Sequence, residues 1–417
     1  MEILEKFISL GAPVLMPVIL SVVGIAFRLP VGKVFKSGML VGIGFLGINM
    51  VMELLLKSLS PVTKAMISRI GLKLTVTDVG WTTAANIGWN SSIMLEGIIG
   101  FAIINIIMLT TGLTKTVDID IFNFWTLFLL GAIIYAVTKN YWIAVVSMWI
   151  LFGSALIVGD KTAPKIQTEF NLKGVSFPQI AYLSWIPIGM FTNMVIKRIP
   201  KIKAIEISPE SLSRKIGVFG EPVGIGFFLG LFLGLLGGYP FGRLLTLTVS
   251  ISGCMVILPK MIDLLVEGLQ ILREGVEIRL KQWFPNRQFY IAMDVSMLIG
   301  DPSVLSTALL MVPISCLLAF LLPGNRLLPL ADLSSLMFPF ALTAAYLNRN
   351  MFRMILTGLI IVPLALYFGT FVAPAYTLAA SMSGVSVPTG IHMMSNFIGS
   401  AGTWVGALTV FISKLFT

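Results

Sequence analysis

In the stretch Asp294-Val-Ser-Met-Leu-Ile-Gly-Asp301-Pro-Ser-Val-Leu-Ser-Thr307, two acids, a glycine and a proline interrupt a chain that is otherwise strongly apolar. Of the 417 residues, 57% are hydrophobic and 12% are charged, and apolar runs of spanning length recur along the chain. A bilayer crossing needs about 20 apolar residues, and a water-soluble core does not repeat that length so often. The sequence therefore predicts an all-α, polytopic integral membrane protein. Acidic residues inside such a protein usually mark a functional site.

The basic residues lie mainly in short loops between the apolar runs, although the net charge is +10. This positive-inside pattern is typical of a membrane protein in a lipid bilayer, and it argues against nucleic-acid binding. No small-residue cleavage site follows the first apolar run, so we expect a retained helix there rather than a signal peptide. Cys254 and Cys316 lie inside apolar segments, which fits neither a disulfide framework nor a metal cluster.

The first half of the chain begins with two predicted spans, residues 7–27 and 37–56, joined by a basic loop over 28–36. Because this loop contains no acid, we expect it in the cytoplasm and the N-terminus outside. Basic and apolar residues are interspersed over 57–76, which predicts an amphipathic helix in the membrane interface.

Small and polar residues over 78–92 then lead directly into the apolar run 93–112. Irregular backbone at membrane depth has to be buried in protein or line a wet cavity, so we predict a re-entrant segment. The first half continues with spans 122–138 and 141–158, a hairpin near 174–196 and a basic loop over 197–215. The second half has predicted spans at 218–238, 244–269, 303–322, 329–347, 351–371 and 389–415, with a charged amphipathic stretch over 267–287.

Two sequence markers recur at nearly the same spacing in the two halves. The Asp-Val pairs that begin at Asp78 and Asp294 are 216 residues apart (294 − 78). The Gly-Val-Ser-x-Pro motifs that begin at Gly174 and Gly384 are 210 residues apart (384 − 174). Together these spacings predict an internal repeat.

The predicted repeats cover residues 1–200 and 201–417. The second contains a re-entrant segment at 294–302 and a final segment from 384. Two strongly basic loops, 28–36 and 197–215, should both be cytoplasmic, which requires an even number of crossings between them. Because five apolar segments lie between these loops, we expect the hairpin near 174–196 to turn back without crossing. Each repeat then has five crossings, an odd number, so the second repeat is inverted relative to the first, and the final segment brings the total to about eleven. Inverted repeats with broken helices are typical of carriers that hold their substrate near the bilayer midplane.

The strongest candidate for substrate contact is Asp301, which precedes Pro302. A helix that starts at the proline would present Ser303 and free backbone N–H groups beside the carboxylate. Donors and acceptors in one pocket suit a polyhydroxyl ligand. The alternative is that Asp301 only caps the helix, which is a common function of Asp.

The other polar residues also have two interpretations each. Asp78 and Asp294 lie at the start of the two broken segments. For both, structural pairing or capping is favoured over ligand contact. Trp81 and Trp89 stack on a sugar-like skeleton or anchor the chain at the interface. Amides either donate to the ligand or are satisfied within the protein, as by an interhelical hydrogen bond for the mid-helix Asn49. The predicted substrate-binding residues are Asn49, Asp78, Trp81, Asn86, Gln179, Asp301 and Ser303.

Several kinds of chemistry leave no trace in the sequence. His392 is the only histidine, which excludes a histidine phosphorelay or a multi-histidine metal site within this chain. The sequence has no Walker loop, no glycine-rich nucleotide fingerprint and no Cys/His cluster. We therefore expect no cofactor, no bound metal and no ATPase of the protein's own.

Over essentially its whole length the chain resembles the galactitol-type IIC component of the bacterial phosphoenolpyruvate-dependent phosphotransferase system, a family related in fold to the ascorbate-type IIC permeases. The motifs that carry the resemblance are Gly42-Ile-Gly-Phe-Leu-Gly-Ile-Asn49, Thr77-Asp-Val-Gly-Trp81, Asp120-Ile-Phe-Asn-Phe-Trp125, Gly220-Glu-Pro222 and Ile299-Gly-Asp-Pro-Ser-Val304. Two positions depart from the family pattern: Thr126 stands where His is common, and Thr82 where Pro is frequent. These departures leave the exact polyol open.

The resemblance implies a homodimer in the bacterial inner membrane, each protomer with a dimerising scaffold and a mobile core that moves substrate by an elevator-like displacement. It implies a transport subunit and not an enzyme, since separate IIA and IIB subunits carry the phosphoryl transfer. By the same likeness Asn49, Asp78, Asn86 and Asp301 are binding positions, and Gln179 is added by the repeat argument.

Two other functions are alternatives to a permease for galactitol or a related polyol. An ion-coupled symporter would use Asp301, Asp78 or Asp294 to carry a proton or a sodium ion. A membrane enzyme would need a nucleophile, a base and an oxyanion-binding group, and the sequence shows no such grouping.

Overall fold

The computed structural model describes residues 12–71, 74–118, 120, 124–283, 287–387 and 392–416. The first half contains α1 (Ala12–Ala26), α2 (Val31–Ile70), β1 (Val76–Asp78), α3 (Gly80–Trp89), α4 (Met94–Thr111), β2 (Thr116–Val117), α5 (Trp125–Thr138), α6 (Tyr141–Phe170), β3 (Val175–Ser176), α7 (Ile180–Leu183), α8 (Ile186–Lys197), α9 (Pro200–Lys203) and α10 (Pro209–Ile216).

The second half continues with α11 (Pro222–Gly237), α12 (Phe241–Trp283), β4 (Tyr290–Ala292), α13 (Ser296–Ile299), α14 (Pro302–Leu321), β5 (Leu327–Leu328), α15 (Met337–Tyr346), α16 (Met351–Met382), β6 (Met393–Ser395) and α17 (Trp404–Ser413). Short 3-10 turns lie at Gly217–Gly220, Asp332–Ser335, Ser400–Gly402 and Lys414–Phe416.

The helices confirm a polytopic, all-α membrane protein. Among the described residues, six helices are long and apolar enough to cross a bilayer: α2, α4, α6, α12, α14 and α16. A seventh span results if Pro209–Gly220 and Pro222–Gly237, which meet at 72°, are counted together. Two shorter apolar helices are α5 and α17.

The longest helices, α2 and α12, lie antiparallel and in close contact. Small residues permit this approach: a Cβ added to Gly44 would lie 2.6 Å from the Cβ of Leu265. At one end Ser37 donates a hydrogen bond of 2.6 Å to the carbonyl of Gly268. Helices α1 and α11 pack against this pair, while α4, α6 and α16 contact the strands.

The prediction of a separate interfacial helix over 57–76 is wrong. Residue 57 lies inside α2, which runs without a break to Ile70 and ends at Gly71 in the left-handed conformation. The buried stripe of Leu55, Leu59 and Val62 keeps the helical spacing, so the basic residues simply occupy the other faces. The loop predicted at 28–36 is correspondingly shorter, because α2 already begins at Val31.

Three predictions in the second half are wrong. The span 329–347 consists of a 3-10 turn at Asp332–Ser335 and α15, which has only 10 residues. The span 244–269 and the charged stretch 267–287 are not separate, because α12 continues to Trp283. The segment 389–415 is not one spanning helix: β6 and a 3-10 turn precede α17, which has only 10 residues. Part of this segment, residues 389–391, lies outside the described residues.

The six strands found among the described residues form two small parallel sheets that join the halves of the chain. In one sheet β1 lies between β5 and β6, and in the other β4 lies between β2 and β3. Each central strand therefore comes from one half, and both of its neighbours come from the other half. The side chains that follow these strands are brought to two centres.

The Gly-Val-Ser-x-Pro motifs lie in corresponding intervals of the two halves, after α6 and after α16, and both glycines have positive φ, but the following strand begins at different distances. Gly174 is followed directly by β3, whereas Gly384 follows the end of α16 and β6 begins only at Met393. The Asp-Val marker agrees better with the structure, since Asp78 ends β1 and Asp294 follows β4 by two residues.

Candidate functional site

The centre at the end of β1 is built around the buried carboxylate of Asp78. Its Oδ1 accepts hydrogen bonds from the backbone N–H groups of Gly80 (3.1 Å) and Phe397 (3.2 Å). Its Oδ2 accepts from Leu330 (3.2 Å) and Asp332 (2.7 Å). Both carboxylate oxygens therefore accept hydrogen bonds, from four backbone N–H groups in three chain segments. Asp78 thus holds these three segments together.

A second carboxylate, Asp332, completes this centre. Its Oδ1 accepts a hydrogen bond of 2.9 Å from the backbone N–H of Trp81, and its Oδ2 accepts from the side-chain amide of Asn396. Asp332 and Asn396 are both fully buried. Sequence reasoning missed both residues. The signal that was available is the spacing of 212 residues between Asp120 and Asp332 (332 − 120), close to that of the Asp-Val pairs.

In the matching centre at the end of β4, the carboxylate accepts fewer hydrogen bonds. Asp294 is only half-buried, and its Oδ1 accepts from the backbone N–H of Ser296 while its Oδ2 accepts from Nε2 of Gln179 at 3.3 Å. The Oε1 of Gln179 is buried and has no hydrogen-bond partner among the described residues. Gln179 can therefore accept a further hydrogen bond.

A small cavity of about 10 Å³ lies beside Gln179. The polar residues that line it are Asp118, Asp120, Thr126 and Gln179. A volume of this size holds about one water molecule, so a six-carbon polyol requires the surrounding segments to move apart. Carboxylates that accept and an amide that donates and accepts are the groups that bind hydroxyls.

Other buried polar atoms around the strands also have no hydrogen-bond partner in the described part of the chain. They belong to Ser335, Tyr376, Asn396 and Ser400. Because an unpaired buried polar group is unfavourable by about 1–3 kcal/mol, this concentration favours a site that a polar ligand or water fills.

Comparison with known proteins identifies the family of the chain. The family model EIIC-GAT, described as a PTS system sugar-specific permease component, matches residues 6–390. The chain belongs to this family. It is 32% identical over 404 residues to the PTS system galactitol-specific EIIC component of Escherichia coli (strain K12), covering 97% of this chain and 90% of that protein. It is also 34% identical over 382 residues to a putative permease IIC component of the same strain, covering 92% and 87% of the two chains.

As an EIIC-GAT permease, the protein is a multi-pass component of the inner membrane and a transport subunit. Permeases of this kind move the sugar, and the IIA and IIB proteins carry out the phosphoryl transfer. Among the described residues there is no group of three or more His, Cys, Asp or Glu side chains that could hold a metal ion.

In this EIIC-GAT permease, Asp301 has the position expected of a helix cap. Its Oδ1 accepts from the backbone N–H groups of Ser303 (2.9 Å) and Val304 (3.2 Å) at the start of α14. Its Oδ2 forms an ion pair of 3.0 Å with Nη1 of Arg349. The Asp301 side chain is 7% exposed, so a ligand reaches it only if this ion pair opens. Ser303 is buried beside it.

The structure does not bring the predicted site residues into one pocket. Asn49 and Asn86 are exposed on α2 and α3, and neither side chain makes a hydrogen bond to another described residue. Asn49 therefore does not form the expected interhelical hydrogen bond with any described residue. The ring of Trp81 lies 6.5 Å from that of Trp125, and the ring of Trp89 contacts Phe128 edge-on at 5.1 Å.

Proposed function

We propose that this permease component translocates galactitol or a closely related polyol, bound at the centre formed by Asp294, Gln179 and the polar residues of the adjacent cavity. Both curated relatives reported above are permease IIC components, and one is galactitol-specific by name. The cavity offers carboxylate, hydroxyl and amide groups, which suit a neutral polyhydroxyl ligand.

The observation that carries this assignment is the difference between the two centres. Asp78 receives four backbone donors, whereas Asp294 receives one backbone donor and the Gln179 amide, whose Oε1 has no partner in the described chain. The Asp78 carboxylate is fully buried and both of its oxygens are occupied by backbone donors, whereas the Asp294 carboxylate is half-buried and can still accept hydrogen bonds from ligand hydroxyls. The Asp294 centre is therefore the proposed substrate site, and the Asp78 centre supports it.

Within this proposal the sequence-predicted residues have different positions. Gln179 contacts the substrate directly, and Asp301 and Ser303 contact it when the Arg349 ion pair opens. Asp78 and Trp81 hold the neighbouring centre in place. For Asn49 and Asn86, both exposed on the protomer, substrate contact stays a prediction that requires a second conformation.

The proposal includes two inverted repeats. Both halves have the order of two long helices, a strand, a short helix, a long helix, a strand, a helix pair and a third strand. The turn before α6 and the turn before α16 are also alike: Lys139 and Arg349 both have positive φ, and the following Asn140 and Asn350 both cap the next helix through the side chain. The reciprocal strand exchange between the halves supports the same relation.

We further propose about eleven crossings, a homodimer and an elevator-like displacement. The shorter apolar helices α5 and α17 and the broken segments near the strands supply the crossings beyond the long helices. The group α1, α2, α11 and α12 would form the static scaffold, and the helices around the two sheets would form the moving core. Exposed apolar side chains on α2, such as Met39, Ile43 and Leu46, leave a face available to lipid or to a second protomer.

The substrate site is tested by isothermal titration of the purified protein with galactitol. Asp294→Asn should weaken binding by about tenfold to a hundredfold, because a hydrogen bond to an ionised acceptor contributes about 1.5–3 kcal/mol. Gln179→Ala should also weaken it, with unchanged thermal stability. Asp78→Asn is the matched control: it should lower thermal stability, and its properly folded fraction should bind galactitol normally. Equal affinity for wild type and Asp294→Asn would refute the proposed site.

A further inference from the structure

A second cavity, of about 480 Å³, lies where the segment 203–214 meets the turn between α15 and α16. The charged residues that line it are Lys203, Arg214, Arg349 and Arg353, together with Glu206 and Glu210. We call it the basic cleft. A neighbouring cavity of about 500 Å³ shares Asn348 with it and adds Lys197 and Arg198. The combined space is ample for a phosphorylated six-carbon polyol.

Specific contacts hold the basic cleft together. The side-chain amide of Asn350 donates a hydrogen bond of 2.9 Å to the carbonyl of Ile205, and the backbone N–H of Met351 donates one of 2.7 Å to Ile207. Arg353 donates through Nη1 to Asn193 and through Nη2 to the carbonyl of Lys203, both at 3.2 Å. These contacts connect the segment 203–214 to the turn, so the cleft has defined walls.

The charge of the basic cleft is only partly neutralised. Arg349 is paired with Asp301, but Lys203, Arg214 and Arg353 form no ion pair with another described residue. The Nε of Arg353 is buried and has no hydrogen-bond partner within the described chain. Guanidinium groups bind phosphate oxygens in a bidentate manner, and a phosphate monoester carries close to two negative charges at neutral pH.

We propose that the basic cleft binds a dianionic phosphoryl group on the cytoplasmic side of the permease. This inference rests on the proposed function, because a polyol phosphotransferase system presents two such groups: the phosphate ester of the polyol and the phosphoryl group on the IIB subunit. Arg349 connects the cleft to Asp301 at the start of α14 by the 3.0 Å ion pair. A phosphate that binds Arg349 competes with Asp301 for the guanidinium group. Phosphate binding therefore weakens the contact between Arg349 and the start of α14.

The test compares two double variants with the same change of charge. Lys203→Gln/Arg214→Gln removes two exposed cations from the cleft, and Lys203 contacts Arg353 through its backbone carbonyl, which glutamine keeps. Lys201→Gln/Lys215→Gln removes two exposed cations from the same segment that do not line either cavity. Both proteins are purified in phosphatidylcholine nanodiscs and titrated with galactitol 1-phosphate and, separately, with galactitol.

We expect the cleft variant to bind galactitol 1-phosphate at least tenfold more weakly than wild type, while the control variant stays within twofold. A second arm measures phosphorylated against unphosphorylated IIB. A phosphate-dependent gain in IIB affinity that only the cleft variant loses assigns the site to the IIB phosphoryl group, and an effect on the free ester alone assigns it to the product. Either result supports the proposal.

Equal losses in the two double variants, or no phosphate-dependent binding in either arm, would overturn the proposal. Loss of ester binding when phosphatidylglycerol is added to the nanodiscs would also overturn the proposal, because an anionic lipid headgroup would then occupy the basic cleft. Galactitol binding by the wild type separates this outcome from failure of the proposed function. If galactitol binds normally and the esters do not, only the basic cleft assignment is wrong.

Discussion

Replacing Asp301 by Asn separates a structural function from substrate contact at this position. The structure gives Asp301 two separable functions, since Oδ1 caps α14 and Oδ2 pairs with Arg349. Asn is about as good an N-cap as Asp, so Asp301→Asn loses the ion pair but keeps the cap. Because Arg349 is 37% exposed and regains water, we expect a loss of only about 1–2 kcal/mol from the pair.

The series Asp301→Asn, Asp301→Ala and Arg349→Gln then gives distinct expectations. Asp301→Ala should lose about 1 kcal/mol more stability than Asp301→Asn, because alanine cannot cap the helix. If Asp301 also contacts galactitol, Asp301→Asn should weaken the affinity by about tenfold to a hundredfold. Arg349→Gln frees the carboxylate and should leave galactitol affinity equal or higher.

Thermal unfolding gives the stability of each variant, and isothermal titration gives its affinity for galactitol. Lys139→Gln, in the similar turn before α6, is the control, because no ion pair of Lys139 exists within the described chain. An Asp301→Asn protein with reduced stability but the wild-type dissociation constant would refute substrate contact. Asp301 would then be a cap and ion-pair partner only.

Three further predictions concern coupling, topology and packing. Purified protein in liposomes should not accumulate galactitol in response to a proton or sodium gradient, since trapping requires phosphorylation by IIB; concentrative uptake would instead favour the symporter. Single cysteines at residues 28, 205 and 287, in a background lacking Cys254 and Cys316, should be protected from an impermeant thiol reagent added outside, and labelling of residue 205 from outside would contradict the inverted repeats. Gly44→Ala should destabilise the protein by about 1–3 kcal/mol by forcing Leu265 away, whereas Gly32→Ala on the same helix meets no atom within 4 Å and should be neutral or slightly stabilising.

The helices were largely predictable because apolar runs of spanning length are a strong signal. The run 303–322 corresponds to α14 at Pro302–Leu321, and 93–112 corresponds to α4 at Met94–Thr111. The continuity of α2 and α12 was missed because charge composition was given more weight than the periodic buried stripe. That stripe is visible in the sequence at Leu55, Leu59 and Val62.

The strands and the centres they build were not predictable from local patterns. A strand of two or three residues is too short to show the two-residue alternation that identifies a strand. The contacts also join distant residues: the Asp78 carboxylate accepts from Phe397, which is 319 positions away. Only the approximate repeat spacing carried information about such pairs, and it pointed to Asp332 through Asp120.

The exchange of strands between the halves has a consequence for biosynthesis. β2 and β3 do not pair with each other but lie on either side of β4, so the first half leaves the ribosome with an unfilled slot in its sheet. The residue that begins β4, Tyr290, follows the end of β3 by 114 positions (290 − 176). At about 5–20 residues per second, that slot stays open for roughly 6–23 s during translation. For this interval the nascent chain has unpaired backbone groups at β2 and β3, and an insertase or chaperone that shelters them would set the yield of folded permease.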